Sequence, residues 1–475
     1  MLKNIIRKEI LNNIFSSRFL VTFLLLVIFV LATSVILTND YVRKQDEFFR
    51  RQTELENYLR DYAHFNRIGG VIKPAQPPLA FYSLIRGISL EVNIEKFDND
   101  PLPVMFPLID LTFIVTILLS LIALLFSYDA ICGEKEDGTL KLMLSNRVSR
   151  AKVLLGKTIG GTLTLLIPFI FSLGLSLFVI LLNPRVSWKG SDWGALGLIF
   201  FSAVLYVSLF YCLGTFISSC HKSGSSSIMT SLFVWVLFIL VIPSLTPYVA
   251  SFFAKTPSKI KIGREVSRIY NTERDELGNK LAQERQQEVL KKYPNYESIL
   301  SKEERQRRIA NDPEFKKADE EMTKAWQGGW NEANRIQGAK ANLILEDQGR
   351  KIESQMKLSL YLSMSSPLSS FTYLATDLSS TGMRSLSHFK RIVEGWNAAF
   401  GDYAKKKRAA LLEKDPTIDV WDSPVDVSDM PRFQYIDERL LDRIKGVLPF
   451  LTALVVFNIL FFSAAFFSFI RYDVR

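Results

Sequence analysis

Cysteine and histidine are scarce: three of each among 475 residues, at Cys132, Cys212 and Cys220 and at His64, His221 and His388. The long polar stretches contain no cysteine, so no disulfide framework is implied. The histidines are too far apart to supply metal-ligand spacing. Methionine does not cluster with them, which leaves soft-metal handling without a donor set. No nucleophile motif appears in the polar regions, which argues against a protease or glycosidase. The octet Ala151–Thr158 has the end residues of a phosphate-binding loop but lacks its interior glycines, with Lys152, Val153, Leu154 and Leu155 in their place. Without glycine the backbone N–H groups cannot curl around a phosphate, so nucleotide binding by this chain is not expected. Gly156 and Gly160 fit close helix packing in a membrane instead.

Apolar sequence is abundant. Hydrophobic residues make up 48% of the chain, with 35 Phe, enough for several membrane spans beside a folded polar region. Six runs reach the length that a hydrocarbon core of about 30 Å requires: Phe19–Leu37, Pro107–Ala130, Leu154–Leu182, Trp193–Ser219, Ile228–Phe253 and Gly446–Ile470. A cleaved leader is disfavoured for the first run, because Thr38-Asn39-Asp40 is no small-residue cleavage site. Before it, residues 1–18 read as an amphipathic helix at the membrane surface, with Leu2, Ile5, Ile6, Ile10 and Ile14 on one side. The net charge of +10 suggests nucleic acid less than orientation. Lys135, Lys141, Arg147, Arg150, Lys152 and Lys222 fall in short loops on one side, against Arg185 and Lys189 on the other. Positive charge marks the cytoplasmic side, and an even number of spans puts both termini there. Trp188 and Trp193 bracket the opposite turn as an aromatic belt would.

Two polar segments then lie outside, residues 38–106 and 254–445. The second contains charge-rich helical sequence at Ile260–Lys292 and from Glu314 to about Leu358. It reads either as a solvated hairpin or as a dimer contact or platform for an external partner. Asp110, near the outer end of the second run, is either an interfacial residue or part of a pathway.

The densest signal is residues 131–153, between the second and third runs, with the residues that flank them. Asp129, Glu134, Gly138-Thr139-Leu140, Leu144-Ser145, Ser149-Arg150 and Gly156-Lys157 carry a spacing that resembles the signature of ABC-2-type ABC transporter permeases. The family usually has proline where this chain has Arg147. The long insertion before the last run, with Ser365–Gly382 and the ending Phe469–Arg475, is similar to the subset that has a large extracytoplasmic domain.

The resemblance implies an all-α polytopic protein: six transmembrane helices, an N-terminal interfacial helix and a mainly helical extracytoplasmic domain. It implies a permease subunit in the cell (inner) membrane, expected to export. ATP hydrolysis, with its ATP and Mg, would belong to a separate ATPase subunit. That ATPase would dock on Glu134, Glu136, Gly138, Thr139, Leu140, Leu142, Leu144, Arg147 and Arg150. Asp129 and Lys157 would hold the ends of the two spans, by pairing or by facing headgroups. A second permease copy, identical or related, would complete the pathway, and no nucleic acid is expected as a partner. The alternative is an ATP-driven machine whose extracytoplasmic domain acts on an external protein complex without moving a substrate.

Overall fold

The computed structural model describes residues 2–61, 63–64, 72, 74–87, 109–140, 149–296, 301–414 and 424–471. Among them every regular element is helical. The chain divides into two compact units, one of residues 1–243 with 363–475 and one of residues 244–362.

In the first unit, α1 (Leu2–Ile14) precedes α2 (Ser17–Asp61). The apolar run expected at 19–37 is only the first part of α2, since neither proline nor glycine occurs between Ser17 and Asp61 to stop the helix where the sequence turns polar. The α3 helix comprises Leu111–Phe113, a π-type segment Ile114–Leu119 and Ser120–Ser127. Asp110 caps its first turn, accepting from the Phe113 amide at 2.8 Å, a structural use of that carboxylate. Widening of the helix in the π-type segment leaves the Thr116 carbonyl able to accept from the Tyr206 hydroxyl at 2.9 Å. After α4 (Cys132–Glu136) come α5 (Arg150–Leu182), α6 (Gly190–Cys220) and α7, which runs from Gly224 to Phe253 through a second π-type segment at Leu237–Val241.

The α6 helix is the hub, packing on α3 and α5 as well as on α11 (Pro367–Leu378) and α13 (Leu440–Ile470). Tyr206, Phe210 and Tyr211 of α6 are fully buried there. Lipid offers no hydrophobic drive between helices, so small residues and interhelical hydrogen bonds set the contacts. Asn458 donates to the Leu205 carbonyl at 2.9 Å, and the Trp235 indole donates to Ser120 at 2.9 Å. Among the described residues six helices, α2, α3 with α4, α5, α6, α7 and α13, are long and apolar enough to cross a membrane.

The α11 helix has 12 residues, about 18 Å of rise, which is too short to cross. Its Phe371, Leu374 and Leu378 are buried, and it packs on α6 and α13. Residues 363–445 therefore group with the spans, and the polar segment expected at 254–445 is divided between the two units. Beyond α11, α12 (Met383–Lys414) shares an apolar cluster with the far end of α2: Leu59, Ala404, Val425, Val427 and Met430, flanked by Tyr58, Trp396 and Phe400.

The second unit is a helical hairpin. Its first arm, α8, comprises Lys259–Arg268, Ile269–Glu273 and Arg274–Lys292; a short α9 (Lys302–Asn311) leads to α10 (Pro313–Ser363). Ion pairs tie the two arms in antiparallel register: Glu273 with Lys340 at 2.5 Å, Arg285 with Glu332, and Lys292 with Glu321 at 2.8 Å. Exposed pairs of this kind contribute little each. Close approach comes from two glycines. Gly278 lies under the Trp330 indole, where a Cβ would come within 2.8 Å of the ring, and Gly329 lies directly against the Ala282 backbone.

Gly329→Ala decides between two effects. Alanine gains about 1 kcal/mol in helix propensity, while a methyl forced against backbone loses about 1–3 kcal/mol. We expect a net loss in this unit. Limited proteolysis should cut within residues 244–362 of the variant while the spanning helices stay resistant.

Candidate functional site

The site is assembled by α1, α4 and the start of α5. In α1 the half-buried positions are Leu2, Ile5, Ile6, Glu9, Ile10, Asn13 and Ile14, the 3–4 spacing of one helix face. That face lies on α5, and two glycines permit the approach. A Cβ on Gly156 would sit 2.5 Å from Cγ2 of Ile5, and one on Gly160 would sit 2.8 Å from Cβ of Glu9. Lys157, beside Gly156 in the sequence, thereby meets the Glu9 carboxylate, Nζ to Oε2, at 3.6 Å. From α4, Glu134 Oε1 accepts from the same Nζ at 2.9 Å. Lys157 is only 3% exposed, and Oε2 of Glu134 is buried without a hydrogen-bond partner.

One cation thus faces two carboxylates in a site largely shut off from water. Burial holds the Glu9 carboxyl above its ordinary pKa; Lys157 pulls it down and Glu134 pushes it further up. A carboxyl raised in this way is stabilised by protonation, so its contribution to folding improves as the pH falls through the raised value.

Asp129 pairs elsewhere. Arg18, at the start of α2, meets it at 2.8 Å. The same guanidinium donates to the Tyr128 hydroxyl at 3.1 Å and lies 5.3 Å from the centre of the Tyr128 ring. Asp129 and Lys157 each hold the end of a span through an ion pair, but their partners are Arg18 and Glu9 with Glu134, not each other. Neither Arg18 nor Glu9 stood out in the sequence. The available signal for Glu9 was its register, four residues after Ile5 and three after Ile6, which puts a charge on the apolar face.

The α4 helix is also fastened to the connection between α6 and α7. The amides of Ile131 and Cys132 both donate to Ser218 Oγ at 3.0 Å. Lys135 Nζ donates to the carbonyls of Ser219 at 2.6 Å and His221 at 3.1 Å. Glu136 accepts from the Gly224 amide at 3.3 Å. Gly138, at φ +71°, ends this stretch in the left-handed region.

From Glu136 to Thr139 the chain is exposed. Leu140, expected to reach a partner, turns inward instead. It is 1% exposed and packs with Ile131, Val153, Leu154, Ala465 and Phe469, because the chain turns back toward the span ends after Gly138. Arg150 reaches the Ile470 carbonyl at the end of α13, a favourable place for a cation. Leu142, Leu144 and Arg147 lie outside the described residues. The arrangement is a junction of helices with an exposed edge at 136–139, attached behind to α1, α5, α6 and α7.

A family model described as ABC-2 family transporter protein matches residues 3–474. The curated relatives include two proteins named "Probable ABC transporter permease protein NosY". The one from Pseudomonas aeruginosa is 38% identical over 132 residues, 28% of this chain and 48% of the relative. The one from Stutzerimonas stutzeri is 36% identical over 128 residues, 27% of this chain and 46% of the relative. The chain therefore spans about half the length of the curated relatives it matches.

Removing the cation is the sharpest test of the junction. Lys157→Met leaves Glu9 and Glu134 facing each other and should cost about 3–5 kcal/mol, the loss seen when one partner of a buried pair is removed. Glu9→Gln keeps an acceptor for Lys157 and should change stability by less than about 1 kcal/mol near neutral pH. It should also flatten the gain in stability that the wild type shows as the pH is lowered. Thermal melts in detergent across the pH range read both effects.

Proposed function

The chain belongs to the ABC-2 family of transporter proteins, and we propose that it serves as the permease subunit of an ATP-driven exporter. In this reading ATP and Mg bind to a separate ATPase subunit, which docks on the exposed edge Glu136–Thr139. The observation that carries it is the attachment of that edge: through Glu134 and Lys157 it is tied to α1 and α5, and through Ser218 and Lys135 to the end of α6. A push there would reach several spans at once.

Of the residues expected to dock, Glu136, Gly138 and Thr139 take the contact. Glu134, Leu140 and Arg150 hold the junction from behind, and Leu142, Leu144 and Arg147 extend the docking segment along the chain. Both termini lie in the cytoplasm of a cell whose inner membrane holds the protein, in accord with the basic short loops. Residues 254–445 lie outside, and a second permease copy, identical or related, completes the pathway. The names of the two relatives support the permease role.

One observation favours a second reading, a machine that passes ATP-driven motion to an external protein. The hairpin of residues 244–362 has packing of its own, with Ile269, Ala282, Phe315, Ala333 and Ala341 buried, which a passive connection would not need.

Proline cannot adopt the positive φ of Gly138, and among the described residues nothing comes within 4 Å of the place a Cβ would take there. Gly138→Pro and Glu136→Lys should therefore strip the ATPase from the purified protein and leave it in the membrane. An ATPase that still co-purifies in full would remove this site from consideration. Orientation is read separately. In a Cys220→Ser background, Lys324→Cys on the exposed side of α10 should react with an impermeant thiol reagent in spheroplasts, and protection until lysis would reverse the topology.

A further inference from the structure

The apolar run of α2 ends at Leu37, seven residues before Lys44. That is about 10 Å of helix rise, which brings Lys44 to the depth of the headgroups at that bilayer face. At the same level the turn Ala80–Ser83 sets Phe81 against Trp188, ring centres 4.8 Å apart, with Trp193 a further 5.4 Å on, an aromatic belt of the kind that marks the membrane–water boundary.

A cavity of about 440 Å³ opens here between α2, the segment from Pro74 to Leu79, Arg86 and the start of α12. It is large enough for a small organic ligand. Among the described residues its charged lining is Lys44, Arg51 and Arg86 with the acid Glu47, and Phe48 and Phe389 supply apolar wall. Asp40, one turn back on α2, also attracts Lys44, but it is shared with Arg43 at 2.5 Å and with the Tyr82 hydroxyl at 2.8 Å, so the described charges at this level stay net positive. Lys44 is held over the Tyr82 ring, 4.2 Å from its centre, and burial lowers the pKa of its ammonium. Nε of Arg86 is buried with no hydrogen-bond partner. Partly desolvated cations with a donor left unsatisfied favour an anion, and beside an aromatic belt the abundant anion is a phosphate ester.

We propose that this cavity binds the phosphate group of an anionic phospholipid headgroup, with Lys44, Arg51 and Arg86 as the donors. Phe48 and Phe389 flank the glycerol portion. The site requires that α2 cross the bilayer and does not depend on which side faces the cytoplasm.

The test uses the full chain in nanodiscs of phosphatidylcholine, with and without phosphatidylglycerol, followed by native mass spectrometry and thermal melts. Wild type should retain phosphatidylglycerol and melt higher in its presence. Lys44→Gln with Arg51→Gln should weaken retention about a hundredfold, roughly tenfold per charge-assisted contact. Arg51→Gln alone, on an exposed stretch of helix, should give about tenfold and guards against misfolding of the double variant. Inorganic phosphate separates the sources of the group. No displacement at millimolar phosphate assigns the site to lipid. Displacement, with stabilisation by phosphate in pure phosphatidylcholine discs, supports the same chemistry in a soluble phosphate-bearing ligand. Equal retention by wild type and variants, or no stabilisation by either probe, would overturn the proposal. Both faces of a nanodisc are open to solution, so a negative result leaves the transport reading intact.

Discussion

A buried ammonium cannot stay charged in an apolar surrounding without compensation, and Lys157 is almost wholly shielded from water. The desolvation penalty is several kcal/mol, so the fold must keep carboxylates beside it at all times. It draws one from α1 and one from α4. Those two short helices share no covalent constraint with the start of α5 beyond the chain itself, yet neither can leave without exposing the other charges. Much of the geometry of the junction follows from this.

Contacts without side chains make that ion site possible. Gly156 and Gly160 let α1 lie flush on α5, and in the same helix Gly161 receives the Tyr211 ring, while Gly214 of α6 receives Ser127. In water such close approaches would add to a hydrophobic drive. In lipid they replace it, since an apolar side chain gains nothing by leaving one hydrocarbon for another. Polar groups then act as local latches, as Asn458, Trp235 and Tyr206 do.

The spans were legible because a bilayer imposes a crude requirement, length and apolarity, that six runs meet openly. Their ends were not. The α2 helix continues to Asp61 because helix propensity does not respond to the water boundary. The stretch Ser365–Gly382 entered only through the family resemblance, and only the surfaces of α6 and α13 decide that α11 packs with the spans. Within the site, the acidic residues and the glycine turn were visible as a motif. The inward path of Leu140 and the pairing of Asp129 with Arg18 were hidden, because both depend on residues more than a hundred positions away or on the direction taken after a positive-φ turn.

The continuity of α2 gives the molecule a lever arm. Arg18, bound to Asp129, sits at one end of a 45-residue rod, and Leu59, clamped in the apolar cluster with α12, sits near the other. A rod about 65 Å long that tilts by about 5° carries its far end about 6 Å. No break within it would absorb the swing. Small rotations at the Asp129 end would be magnified at the α12 end, and the gain is set by the length of a helix that never stops at the membrane surface.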